Sequence, residues 1–185
     1  QSALQIFEQV YGPEHPLAGG ALGSLGSVAW RRNELEDAAG YFQRAVEILA
    51  VSRGAEHPDT AKGYGSMGLV YLDLGEYDKA EDALRRTNEI FERHYDPDSL
   101  NITRSRSFLA KAYQAKGEHA KAEELLRKSL AVRRRLLPPD NLPLLDTAYA
   151  LLNSLKAQGK QAAAAALEAE FDFAPLHEAL AKNAQ

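Results

Sequence analysis

The chain has 185 residues, 45% hydrophobic and 26% charged, which is the composition of a folded chain rather than a disordered one. Its 22 basic and 26 acidic residues leave a net charge of −4, mild and of the wrong sign to draw it to nucleic acid or an anionic membrane. There is no cysteine, hence no disulfide, thiolate zinc site or cysteine nucleophile, which fits a reducing, cytoplasmic setting, and no apolar run approaches the length of a membrane span.

A step of 42 residues organises everything that follows. Gly75, Gly117 and Gly159 stand in DLGEYDKAE, AKGEHAKAE and AQGKQAAAA, each 42 after the last, and one step earlier lies Asn33 in RRNELEDAA. Asparagine is the other residue that tolerates left-handed backbone at a helix end. Several chemically different columns keep the same step: Ala38, Ala80, Ala122 and Ala164 are small, and Phe42, Leu84 and Leu126 are large until Glu168 interrupts them. Gly26, Gly68, Ala110 and Leu152 form another column, and Ile6, Ile48, Ile90 and Val132 a further one.

Residues 1–12 read as the second helix of a truncated repeat whose apolar stripe, Ile6 and Val10, lacks a partner helix, so a longer parent protein is expected. Repeats then follow at 13–54, 55–96, 97–138 and 139–174, with a cap helix over 175–185. Within a repeat, Tyr64, Met67, Gly68 and Tyr71 recur at i, i+3, i+4 and i+7, and Ala80, Leu84 and Thr87 continue the pattern beyond Gly75. Each repeat is therefore a helix of about four turns, a short turn, and a second antiparallel helix. The connectors carry EHP at 14–16 and 56–58, where Pro58 opens the next helix and Asp59 or Thr60 is expected to cap it. In the last repeat Glu168 stands where a terminal, uncovered unit would turn polar, and Pro175 suits the first turn of a final helix.

These columns resemble the tetratricopeptide repeat, and the 42-residue step, with GAEHPDTA before the first helix and LGEYDKAE across the turn, is similar to the longer variant of kinesin light chains. The resemblance implies an all-α fold, a right-handed α-solenoid of antiparallel helix pairs. It also implies a non-catalytic module that binds a partner protein or peptide in a groove lined by the first helices. Kinesin-light-chain repeats carry Leu-Asn-Asn-Leu-Ala on that helix, whereas the matching stretches here are LGSLG, YGSMG, RSFLA and AYALL. The asparagine ladder is missing. The carboxylate clamp of chaperone-binding members would need Lys and Asn where Gly23 and Ser27 stand.

The repeat register places Trp30, Arg31, Lys62, Ser66, Leu69, Asp73, Arg104, Phe108, Lys111, Gln114, Asp146, Tyr149, Asn153 and Lys156 in that groove, with Gly23 and Gly65 on its floor. Lys62, Arg104, Lys111 and Lys156 give it a basic bias that suits acidic and aromatic side chains of a peptide, unless they are simply solvated helix-face charges. Self-association or intramolecular docking within a larger, signalling protein, through the half-repeat at the start, is the alternative.

Other chemistry finds no support. The five histidines, at 15, 57, 94, 119 and 177, form no HExxH and no i, i+4 pair on one helix, so neither a metal nor another cofactor is expected. GSLGS and GYGSMG fit no nucleophile elbow. HPD at 57–59 matches the tripeptide of J-domains, but the period accounts for it better. Glu8, Glu34, Glu36, Glu81, Glu123 and Glu124 read as solvated charge. The run Arg133–Arg135 has no interleaved aromatic platform for nucleic acid and reads as a solvated helix end favoured by the dipole.

Overall fold

The computed structural model describes residues 5, 6, 9, 10, 12 and 14–183. Residues 5, 6, 9 and 10 are helical, and the other positions of the expected helix at 1–12, Gly12 apart, lie outside the described residues. Among the described residues nine helices follow: α1 (Pro16–Arg31), α2 (Leu35–Arg53), α3 (Pro58–Asp73), α4 (Tyr77–His94), α5 (Leu100–Ala115), α6 (His119–Leu136), α7 (Leu142–Ala157), α8 (Gln161–Glu170) and α9 (Ala174–Asn183). They form two compact units, residues 1–95 with α1 to α4 and residues 96–185 with α5 to α9.

The turn inside each pair is made by backbone alone. Asn33 has φ 61°, and Gly75, Gly117 and Gly159 have φ 75°, 76° and 71°. At each, two bonds wrap the helix end. Glu34 N–H donates to Ala29 O and Asn33 N–H to Trp30 O, and the pattern repeats with Glu76 to Tyr71, Glu118 to Tyr113 and Lys160 to Leu155. This is the paired closure that a left-handed residue after a helix permits.

The starts of the helices divide into two kinds. First helices have side-chain caps: His15 Nδ1 accepts from Leu17 N–H at 3.2 Å, His57 Nδ1 from Asp59 N–H at 3.1 Å, Ser99 Oγ from Ile102 N–H at 3.4 Å, and Asn141 Oδ1 from Leu144 N–H at 3.4 Å. The expected cap at Asp59 or Thr60 is thereby corrected, since the proline at the first helical position leaves the preceding histidine to take the cap. Thr60 is instead buried, its hydroxyl donating to Gly54 O at 2.9 Å. Second helices α2, α4, α6 and α8 have no side-chain cap bond.

The small and large columns pack as paired volumes. A β-carbon on Gly26 would stand 3.0 Å from the Phe42 ring, and one on Gly68 would stand 2.6 Å from Leu84 Cγ. Ala38, Ala80, Ala122 and Ala164 are at most 1% exposed. In the last pair the volume changes sides: Leu152 is buried at 2%, while Glu168 turns outward to Lys156 Nζ at 2.6 Å. The core of this last pair is thus filled by Leu152 of α7, where the earlier pairs are filled by Phe42, Leu84 and Leu126 of their second helices.

Candidate binding face

In the register of the turns, positions 20, 24, 27 and 31 of α1 match 62, 66, 69 and 73 of α3. They also match 104, 108, 111 and 115 of α5 and 146, 150, 153 and 157 of α7. Spaced i, i+4, i+7 and i+11, they share one helix face, and none of the sixteen is buried. The neighbouring face of α3 is closed by Ala61, Gly65 and Gly68. Gly65 is therefore not on a groove floor: it is buried against α4, where a β-carbon would stand 3.4 Å from Thr87, an ordinary contact distance. Gly23 is half-buried with open space beside it.

Ten of the candidates lie on this stripe: Arg31, Lys62, Ser66, Leu69, Asp73, Arg104, Phe108, Lys111, Asp146 and Asn153. Trp30, Gln114, Tyr149 and Lys156 sit one position off it. Each of those four is held by a partner. Trp30 Nε1 donates to Asp73 Oδ2 at 2.6 Å, linking α1 to α3. Gln114 Nε2 donates to Ala150 O at 2.7 Å and Ser154 Oγ at 2.8 Å, linking α5 to α7. Tyr149 meets the Phe173 and His177 rings edge-on, each 5.4 Å between centroids, so α9 covers it.

The basic bias is partly cancelled in place. Lys62 Nζ lies 2.9 Å from Asp59 Oδ1, Lys111 Nζ lies 3.7 Å from Asp146 Oδ2, and Lys156 is paired with Glu168. The hydrogen bond from Lys62 holds the Asp59 carboxyl below its ordinary range, against the opposing pull of burial and with help from Arg53 and His57. Residues 1–95 also contain a cavity of about 810 Å³ lined by Tyr64, Met67, Tyr71, Arg86 and Ile90 among others. There Arg86 lies over the Tyr64 ring at 4.8 Å and Lys79 over Tyr71 at 5.4 Å.

Two charged residues read as solvated are interior. Arg133 is only 6% exposed: its Nε donates to Thr103 Oγ1 at 3.1 Å, and its Nη1 to Pro143 O and Thr147 Oγ1. Burial pushes its pKa below the ordinary value, with Asp146 opposing and Arg104 adding to the shift. The signal was present in the period, because stepping back 42 from Arg133 gives Phe91 and then Leu49. Glu123 is 9% exposed and takes hydrogen bonds from Lys160 at 2.6 Å, Arg127 at 2.8 Å and Gln158 at 2.9 Å. Burial raises its pKa, and the three donors overcome that and hold it at about 2.

Against this geometry, the tetratricopeptide repeat family matches residues 1–50, 20–93 and 101–170. The chain belongs to the tetratricopeptide repeat family. Its structural relatives include a kinesin-light-chain-like protein of Podosopora anserina with nearly identical TPR-like repeats, at 22% identity over 90% of this chain and 79% of that one, with a TM-score of 0.77. BtubC (BKLC) from P. vanneervenii is also 22% identical, with a TM-score of 0.77 over 83% of this chain and 61% of its own. The Rap protein complexed with Competence and Sporulation Factor reaches a TM-score of 0.70 at 13% identity, over 88% of this tetratricopeptide chain and 43% of its own. At such identities the likeness establishes the fold, the all-α solenoid class expected from the period. No curated protein matches the chain. Among the described residues no group of three metal-ligating side chains comes together, and no helix is long and apolar enough to cross a membrane.

Proposed function

We propose that the chain is a non-catalytic binding module of a cytoplasmic protein, taking an extended segment of a partner protein on the exposed stripes of its first helices. The observation that carries this reading is the composition of those stripes. Lys62, Ser66 and Leu69 in residues 1–95, and Arg104, Phe108 and Lys111 in residues 96–185, alternate cation, polar and apolar groups, none of them buried. Such faces match acidic and aromatic side chains by charge-assisted hydrogen bonds and apolar contact. The family supports a protein partner, and the Rap relative was solved with a bound factor. Arg104 is the leading contact for a partner carboxylate, since Lys62 and Lys111 must first leave Asp59 and Asp146.

Isothermal titration against a library of acidic-aromatic peptides tests this, with Lys62→Glu and Arg104→Glu as controls. Arg104→Glu is expected to weaken binding more than Lys62→Glu; affinity unchanged by both reversals overturns the reading. Exposure of Ile6 at 46% and Val10 at 64% favours a second reading, self-association or docking within a larger protein. Light scattering across concentrations separates the two, because a monomer at every concentration removes self-association.

A further inference from the structure

The EHP connector contains a histidine with two alternative partners on one residue. His57 Nδ1 accepts a hydrogen bond from the backbone N–H of Asp59 at 3.1 Å, and the same nitrogen lies 3.7 Å from Asp59 Oδ2. The first bond requires Nδ1 to carry no proton, and the second becomes attractive only once it does. Histidine is the side chain that ordinarily changes charge between pH 5 and 8. We propose that His57 is a proton-driven switch, capping α3 through the Asp59 amide when neutral and turning to the Asp59 carboxylate when protonated.

The surroundings give the switch a structural consequence. Asp59 Oδ2, the oxygen nearer His57, is also the partner of Arg53 at the end of α2, while Oδ1 pairs with Lys62 on α3. Glu56, beside His57 in the connector, is engaged by Arg93 of α4. Arg53, Lys62 and Arg93 thus bring charge from α2, α3 and α4 to the two carboxylates on either side of His57 in the sequence. A protonated His57 competes with Arg53 for one oxygen, so gaining the proton both uncaps α3 and loosens the ion pair that joins it to α2. His15 caps α1 in the same way, through Leu17 N–H, but Leu17 stands where the second repeat has Asp59.

Nuclear magnetic resonance on the intact chain tests both arms. At pH 8 the ¹⁵N shifts of His57 are expected to show the proton on Nε2 and a bare Nδ1. Between pH 8 and pH 5, exchange of the Asp59 amide, corrected for its intrinsic rate, is expected to quicken by about fivefold, the loss of one typical cap. Over the same range the Asp59 carboxyl carbon shift should follow the His57 titration. In His57→Asn, which caps without titrating, both responses should be flat. A proton on Nδ1 at pH 8, unchanged Asp59 protection at pH 5, or the same pH response in His57→Asn overturns the proposal.

Discussion

Gly68 and Leu84 are packed so closely that a β-carbon on the glycine would stand 2.6 Å from Leu84 Cγ and 3.0 Å from Cδ2. The pair closes α3 on α4, and the glycine's cost in helix propensity is offset by the leucine's burial at 0% exposure. Gly68→Ala is expected to destabilise by roughly 1–3 kcal/mol through overpacking. Gly20→Ala, on the open stripe of α1, is expected to stabilise by roughly 0.5–1 kcal/mol. Urea unfolding of the two variants checks the contrast. Equal effects would mean that helix propensity alone governs both sites.

Arg133 is bound only by neutral acceptors among its hydrogen bonds, so its burial and its bonds oppose one another. Arg133→Ala is expected to cost about 3 kcal/mol, because it leaves a cavity and removes the hydrogen bonds to Thr103, Thr147 and Pro143. Arg133→Met, which refills the volume without a charge, should recover most of that loss. Denaturant midpoints of the two variants at neutral pH give the comparison.

Glu123 carries the clearest pH dependence. Its folded pKa, about 2, lies below the ordinary 4.5, so its contribution is fully present above pH 4.5 and is lost as pH falls from there toward 2. With Lys160 and Arg127 each about half exposed, the contribution is on the order of 1 kcal/mol after solvent screening. Thermal melts of the native chain and Glu123→Gln, taken from pH 6 down to pH 3, should converge. Curves that stay parallel would remove Glu123 from the acid response.

Leu152 and Glu168 exchange the roles that Gly68 and Leu84 play in the second repeat. Leu152→Ala is expected to cost roughly 2–5 kcal/mol, since it empties a buried leucine site in the core of residues 96–185. Adding Glu168→Leu should return part of that loss and produce a coupling of about 0.5–3 kcal/mol in a double-mutant cycle. Additive effects would show that the two sites do not share one volume.

The period in the sequence was enough to place the helix pairs, their turns and the small and large columns, because glycine and alanine at fixed steps report close backbone approach directly. Side-chain commitments were less legible. Lys62 and Lys111 lie on the stripe and Lys156 one position off it, yet Asp59, Asp146 and Glu168 reach them through rotamers that a repeat pattern does not encode. Gln114 and Tyr149 were placed on the stripe by a register slip of one residue, and one position turns a helix face by about 100°. Arg133 was hidden by its two solvent-facing neighbours, although Phe91 and Leu49 in its column marked the position as interior. His57 was passed over as a cap because Asp and Thr lead the usual preferences.

First helices begin at a side-chain cap of their own, whereas second helices begin at a backbone turn that only a completed first helix can supply. On a ribosome the chain emerges in the same order. Each first helix carries its own start signal as it leaves the tunnel, and its last turn then fixes where the following helix starts. Within a pair, the direction of synthesis and the direction of structural instruction coincide.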